Sequence, residues 1–349
     1  MRRRKRARHK AALGGWVPPP CFFYGDSRGF KFPQRVVPIM SSQAITTMKP
    51  PRKKKYRLYH PLTGYVFIGP WLFGFLAFSL FPLGFSFVIS FFKWSLLDTP
   101  VYVGLRNYVQ MFTIDMMFAK SLQVTFIYAL ASVPLSLVLS LALALLLNAK
   151  IRGQSVYRTL FYLPSLITGV AISVVWMWML QPDFGIFNYF LGKIGIQGPD
   201  WLGSKRWALF SMILMAVWNG SGSQVVIYLA GLQNVPPELH EAASIDGAGK
   251  WCQFWRITLP MLTSTIFFNL IMGIITAFRT FTQAYVMTRG GPQNSTMFYA
   301  YYLWQTAFRD RKMGYSAGLS WILFLIIAFF TMLVFKTSGK WVYYETEGR

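Results

Sequence analysis

The chain has 349 residues, of which 54% are hydrophobic, 18% aromatic and only 13% charged, and its mean hydropathy is +0.39. That balance carries too much apolar surface and too little charge for an ordinary soluble domain, and it makes the lipid bilayer the solvent. The formal net charge of +24 does not mark a nucleic-acid binder: sixteen of the 35 Lys and Arg precede residue 58, where Asp26 is the single acid and no docking module is recognisable.

Residues 1–57 read as a basic, disordered cytosolic tail, held on that face by anionic lipid and by the positive-inside bias. The tail lacks the apolar run and small-residue cleavage site of a signal peptide, and Met40 and Met48 stand as alternative starts to Met1. Residues 58–349 form the membrane domain. A helix crosses the hydrocarbon core with about 20 mainly apolar residues, and six such runs are present, at 64–92, 122–147, 159–180, 208–232, 264–287 and 316–335. The predicted fold is therefore all-α and polytopic, with six transmembrane helices and kinks at Pro70, Pro82 and Pro164. Six crossings put both termini on one side. Outside the tail, Lys and Arg divide almost evenly between the two sets of loops, so the cluster Arg52 to Arg57 beside the first run decides that this side is cytosolic. Trp94, Trp304 and Trp341, near run ends, fit aromatic belts.

Inside the fourth run, Trp218-Asn219-Gly220-Ser221-Gly222-Ser223-Gln224 is a polar, glycine-rich interruption. Lipid penalises such groups, so they face a cavity that offers hydrogen bonds and an aromatic ring to a sugar, or they pack helix on helix through small residues. In the fifth run Thr276, Arg279, Thr280 and Gln283 recur every three to four residues, which predicts one helical face. Arg279 is the one charge well inside a run; it attracts an anionic or hydroxylated solute, or it snorkels or pairs structurally.

Between these runs, residues 233–260 form a polar loop. Asn234-Val235-Pro236-Pro237-Glu238 is a helix start, with Asn234 as a candidate cap, and predicts a short amphipathic helix from Pro237 to Asp246. Gly247-Ala248-Gly249 breaks it by admitting positive φ. A second short helix, 250–256, then leads through Ile257, Leu259 and Pro260 into the fifth run. The product is a helix-turn-helix projecting from the membrane. Gly247-Ala248-Gly249-Lys250 ends like a phosphate-binding loop, but the required earlier glycine is Ser244 and no strand precedes it. Cys21 and Cys252 have no metal-ligand spacing, and His9, His60 and His240 fall outside the runs, so the chain shows no catalytic constellation.

The stretch Pro237-Glu238-Leu239-His240-Glu241-Ala242-Ala243-Ser244-Ile245-Asp246-Gly247-Ala248 with Ile257, Leu259 and Pro260 resembles the EAA motif of binding-protein-dependent ABC importer permeases, in their carbohydrate branch. Val103-Gly104-Leu105-Arg106-Asn107-Tyr108, Thr288-Arg289-Gly290-Gly291-Pro292 and Met313-Gly314-Tyr315-Ser316-Ala317 follow the same branch in order, and the resemblance covers about residues 58 to 340. It implies an ABC importer type I permease architecture for residues 58–349 in a bacterial cell membrane. It also implies that the loop helix docks in a groove of a cytosolic ATPase subunit, with Ala242 and Ala243 small enough for close approach and Glu241 offered to a partner arginine. An ordinary amphipathic interfacial helix is the alternative.

The resemblance further implies a second, related permease subunit, two ATPase subunits that bind ATP and magnesium, an extracytoplasmic sugar-binding protein and a carbohydrate substrate; this chain itself would hold no cofactor or metal. Against the maltose permease subunit, Trp218 and Gly220 match the substrate-lining pattern, whereas Asn219 and Ser223 depart from it and leave the sugar open. The rival readings are a secondary ion-coupled transporter, which needs an intramembrane acid or a repeat that the chain does not display, and a membrane-embedded enzyme, for which Asp98, Asp115, Asp183, Asp200 and Asp310 are scattered singly.

Overall fold

The computed structural model describes residues 61–149 and 152–343; the basic tail and its candidate starts lie outside them. The chain opens with α1 (Pro61–Phe75), a π-helical turn at Leu76–Leu80 and α2 (Phe81–Ile89). The three run on as one span, Tyr65–Ile89. Pro82 has no N–H to give, and the widened turn just before it absorbs that loss, so the kink expected at Pro82 becomes a π turn. A hairpin of two short antiparallel strands follows, β1 (Phe92–Lys93) and β2 (Val101–Tyr102), a small departure from an all-α chain. Next come α3 (Arg106–Thr113) and α4 (Met116–Asn148), the longest helix, which carries Pro134 within it.

The third predicted run is not one helix. α5 (Gln154–Leu166) and α6 (Gly169–Met179) meet at 100°. The break falls at Ile167 and Thr168, both extended, just beyond Pro164, so the expected kink is instead a turn slightly past a right angle. α7 (Ile186–Lys193) precedes α8 (Ala208–Gln233), and then come α9 (Pro237–Ile245), α10 (Lys250–Gln253), a π turn at Phe254–Thr258 and α11 (Leu259–Met261). The run 250–261 joins α12 (Thr263–Phe278) at 61°. After a π turn at Ala284–Thr288 come α13 (Tyr299–Trp304), another π turn at Gln305–Arg309 and α14 (Met313–Ser338). Among the described residues, four continuous spans and two bent pairs thus stand where six helices, the first and third kinked at proline, were expected.

α8 packs along α4, and α5 and α12 close on this pair. Serines on α4 make the contact polar: Ser136 and Ser140 both donate to Gln224 Oε1, at 2.9 and 2.8 Å. Two apolar clusters hold the bundle. The larger joins Phe118, Tyr128, Trp176, Met212, Met215, Phe278, Phe298, Tyr299 and Leu319, among others. The smaller lies at the far ends of α4 and α8, where Ala144, Leu147, Val225, Tyr228, Leu229 and Leu232 surround Leu262. Burying a side chain the size of Leu262 contributes roughly 2 kcal/mol, and here it anchors the residue where the loop run turns into α12.

Beyond the opposite end of the bundle, two of the sequence landmarks meet. Asn107 donates to the carbonyls of Ser90 (2.8 Å) and Phe92 (3.0 Å), Tyr108 donates to Ser90 Oγ (2.7 Å), and the Gly314 N–H reaches the Trp94 carbonyl (3.3 Å). Asp115 caps α4 through the N–H groups of Met117 and Phe118 and accepts from Tyr302 and Tyr315, both at 2.5 Å. Burial pushes the Tyr302 hydroxyl well up, and its hydrogen bond and charge interaction with Asp115 act in the same direction, so it stays a donor.

Candidate functional site

The loop between α8 and α12 forms much as its sequence dictates. α9 spans Pro237–Ile245, with Pro237 in the first turn and Glu238 near the positive helix end. Its N-cap is Pro236; Asn234 instead ends α8, and the capping role expected of it is not present. Gly247 takes φ +78°, with open space where a Cβ would stand, so the requirement for glycine there is one of backbone conformation and not of room. The run 250–261 folds back on α9. Gln253 carries the contact: its amide donates to Ser244 Oγ (3.0 Å) and the Ala248 carbonyl (2.9 Å), and its Oε1 lies 3.1 Å from His240 Nδ1.

The loop's exit is fixed as firmly as its turn. Thr258 is buried, and Ile257, Leu259 and Pro260 are half-buried. A Cβ on Gly231 would stand 2.6 Å from Thr265 Oγ1 and 2.9 Å from Leu262, so only glycine lets α8 and α12 approach so closely there. The last described residues pack on the same base, with the Tyr343 N–H bonded to Thr263 Oγ1 at 2.8 Å and Trp341 against Phe267. Of the expected docking residues, Ala243 is buried against the loop itself, while Glu241, Ala242, Asp246 and Gly247 are exposed. Glu241 has no ion-pair or hydrogen-bond partner among the described residues. Beside it stand large apolar side chains in the open: Ile245 is 86% exposed, and Trp251 and Trp255, which form a ring triad with Phe254, are exposed too. A rigid elbow with an unpaired carboxylate and a greasy surface is equipped to meet another protein.

The polar cluster in the fourth span divides. Gly220, Gly222 and Gln224 turn toward α4 and α5, and Ser221 is buried with its hydroxyl on the Trp218 carbonyl; a Cβ on Gly222 would stand 2.7 Å from the Phe161 carbonyl, and one on Gly220 would lie 3.3 Å from Ser136 Oγ. These four serve helix packing. Trp218, 42% exposed, and Ser223 lie open, and Asn219 Oδ1 is buried with no hydrogen-bond partner. Sequence reasoning missed Trp176 on α6, whose ring lies 5.7 Å from Trp218 at 61° and whose Nε1 also lacks a partner. The Trp176-Met177-Trp178 run, beside a proline-broken helix, was the available signal.

In the fifth span the expected single face is overturned. α12 stops at Phe278, Arg279 is its C-cap, and the chain leaves the helix at Thr280 and Phe281 before resuming. Thr276 and Arg279 are exposed, Thr280 is buried and Gln283 half-buried. Arg279 thus sits at a helix end, where a cation is favoured, and not within a continuous span. Among the described residues no hydrogen bond or ring contact joins this group to the α8 cluster, and no three His, Cys, Asp or Glu side chains gather to hold a metal.

Comparison with known proteins agrees with this architecture. The chain is 45% identical to the probable ABC transporter permease protein YesP of Bacillus subtilis (strain 168) over 290 residues, covering 82% of this chain and 93% of that protein. It is 33% identical to the trehalose/maltose transport system permease protein MalF of Thermococcus litoralis, covering 82% and 96%. It is 32% identical to the lactose transport system permease protein LacF of Rhizobium radiobacter, covering 82% and 98%. A crystal structure of a bacterial ABC transporter that imports the acidic polysaccharide alginate shares the fold, with TM-score 0.69 at 20% identity over 80% of this chain and 96% of that one. The profile described as binding-protein-dependent transport system inner membrane component matches residues 143–344, which hold the loop, its welded base and both polar clusters. With an extended relative at 45% identity and the fold in common, the chain belongs to that family of membrane-embedded ABC transporter permeases.

Proposed function

We propose that this chain is the permease subunit of an ATP-driven carbohydrate importer in a bacterial cell membrane, with both termini in the cytosol. It pairs with a second, related permease subunit, takes its driving force from two cytosolic ATPase subunits that hold ATP and magnesium, and receives sugar from an extracytoplasmic binding protein. The observation that carries the reading is the elbow at 233–260, which Gln253 ties together and Leu262 fastens to the packed ends of α4 and α8, and which is fronted by Glu241, without a partner among the described residues. Relatives named for lactose and for trehalose and maltose support a carbohydrate as cargo.

In this account Glu241, Ala242, Ala243, Asp246 and Gly247 form the docking surface, and Ile257, Leu259 and Pro260 carry its movement into α12. When ATP draws the two ATPase subunits together, the docked elbows move as levers and the bundle turns from inward-facing to outward-facing; hydrolysis resets it. Trp218 and Ser223 present a ring and a hydroxyl to the sugar, with the unsatisfied amide of Asn219 beside them and the buried Trp176 ring backing Trp218, while Gly220 sets the helix spacing behind them. Thr276 and Arg279 offer further polar contacts, with Thr280 and Gln283 holding the helix break that positions them.

Sugar uptake into proteoliposomes tests this. Uptake is expected only when the second permease and the ATPase subunits are reconstituted with this chain and ATP is supplied on the loop side. Uptake by this chain alone, driven by an ion gradient, would establish a secondary transporter instead.

A further inference from the structure

At the end of the bundle opposite the elbow, five aromatic rings from two segments gather on one patch. Phe281 and Tyr285 are stacked at 5.5 Å with planes 18° apart. Tyr285 meets Trp304 at 5.0 Å, Tyr301 and Trp304 lie nearly parallel at 6.1 Å, and Trp304 passes the contact on to Phe308 at 5.9 Å. Packing fixes the inner rings. The outer ones remain open, Tyr285 at 43% and Phe308 at 62% exposure. An interfacial belt would distribute its aromatic residues around the perimeter of the bundle; here Trp304 is instead the centre of a shelf.

Charge marks the same place. Between residues 289 and 312 stand Arg289, Arg309, Arg311 and Lys312 against Asp310 alone, all exposed and none in an ion pair among the described residues. Burial pushes the Tyr301 hydroxyl up, while Arg309 and Arg289 pull it back, so both guanidinium groups act on the patch. Arg289 is held at φ 49°, with its N–H on the Ala284 carbonyl at 2.7 Å, a backbone state that a non-glycine residue adopts at a cost. If the elbow is cytosolic, this concentration of positive charge lies on the face where the positive-inside bias works against it, and insertion does not explain it.

We propose that this shelf is a binding site for an anionic oligosaccharide at the outer mouth of the pathway. Sugar rings stack on Tyr285 and Phe308, and carboxylates are taken by Arg289 and Arg309. Flat apolar faces suit the C–H surfaces of a pyranose, and guanidinium forks suit carboxylate, as an ammonium would not. The proposal rests on the permease reading and adds to it a substrate class and an entry site.

The test measures binding of trigalacturonate and of its fully methyl-esterified form to the assembled transporter in nanodiscs without ATP. The acid is expected to bind the native assembly about tenfold or more tightly than the ester, the scale of one charge-assisted hydrogen bond, and added salt is expected to narrow the gap. The double variant Arg289→Gln, Arg309→Gln is expected to abolish the preference for the acid, and Phe308→Ala, at an exposed edge where folding is not at stake, to weaken both ligands together. Equal affinity for the two, no binding of the acid, or a preference that survives the double variant would overturn the proposal. So would a double variant that still binds trigalacturonate but no longer captures the binding protein, which would make the shelf a protein contact. ATP-dependent uptake of a neutral sugar without trigalacturonate binding would sink the shelf alone; trigalacturonate binding without any ATP-dependent uptake would sink the permease reading alone.

Discussion

Asp115 is one of five aspartates scattered singly along the loops, and from the chain alone it carries no role. Its partners Tyr302 and Tyr315 are 187 and 200 residues away, beyond the reach of any local pattern, yet the three tie the start of α4 to α13 and α14. Asp115→Ala removes a helix cap and leaves two hydroxyls without their acceptor, a loss of roughly 3 kcal/mol from about 1 for the cap and about 1 or more for each stranded group. Thermal unfolding in detergent is expected to show a clear fall in Tm for Asp115→Ala and a smaller one for Asp115→Asn, which keeps an acceptor; an unchanged Tm would make the knot incidental. The Trp218 to Gln224 stretch shows the complementary limit of sequence. Both readings of it were available, and the structure assigns them to different residues: Gly222 and Gln224 to packing, Trp218, Asn219 and Ser223 to open or unsatisfied positions. Gly222→Val should therefore lower assembly stability, by about 1 to 3 kcal/mol for an overpacked contact. Asn219→Ala is expected to leave stability unchanged and alter the ratio of uptake rates for competing sugars. Identical rates would return Asn219 to packing.

The elbow was legible almost to the residue because everything that shapes it is local: Pro237 in the first turn, Glu238 at the positive helix end, and the positive φ at Gly247. Element breaks inside apolar runs were legible only in part. Pro164 marks that 159–180 bends but not that the bend reaches 100° at Thr168, and nothing in 264–287 announces a helix end at Arg279, because in lipid the broken backbone is resatisfied by neighbouring helices and not by residues nearby in sequence. Leu262, which turns the elbow's run into α12, reads as one more apolar residue until its burial is seen. Docking and stiffness of the elbow have separable effects. Turning a two-state bundle from 1:99 to 99:1 takes about 5.5 kcal/mol of differential binding, and a buried charge-assisted bond at Glu241 would supply roughly 1.5 to 3 of it. Glu241→Ala is thus expected to cut ATP-driven uptake more than tenfold with insertion and yield unchanged. Gln253→Ala leaves the docking face intact but loosens the fold of the elbow, so ATPase subunits should still bind while ATP hydrolysis no longer drives uptake. Parallel loss of binding and uptake in Gln253→Ala would show that stiffness is not what transmits the stroke.

Across the whole molecule, the two ends of the bundle have different characters. One end carries the elbow, the welded cluster around Leu262 and the chain's last described residues; the other carries the Asp115 knot and the aromatic shelf. Between them the first span, Tyr65–Ile89, has none of its hydrophobic window buried in this chain; Trp321 touches it, donating to Ser86 Oγ at 3.2 Å and meeting the Phe87 ring at 4.9 Å. Lipid tolerates that exposure without any cost to this chain's own core. The mechanical account needs only that the elbow and the shelf lie on opposite faces of the membrane, with the elbow inside. One crossing by the bent pair between them, 250–278, is expected to put the two on opposite faces, and Arg52 to Arg57 argues for which is which. Ile245, almost fully exposed at the tip of α9, gives a direct assay. In a variant with Cys21 and Cys252 replaced by serine and Ile245→Cys added, a membrane-impermeant maleimide should label inverted vesicles and leave right-side-out vesicles unlabelled. A Phe308→Cys counterpart should give the reverse pattern. Labelling of both positions from one face would mean that the bent pair between them, Lys250–Met261 with Thr263–Phe278, fails to cross. Labelling of Ile245→Cys from outside would leave the elbow with no nucleotide-driven partner to meet.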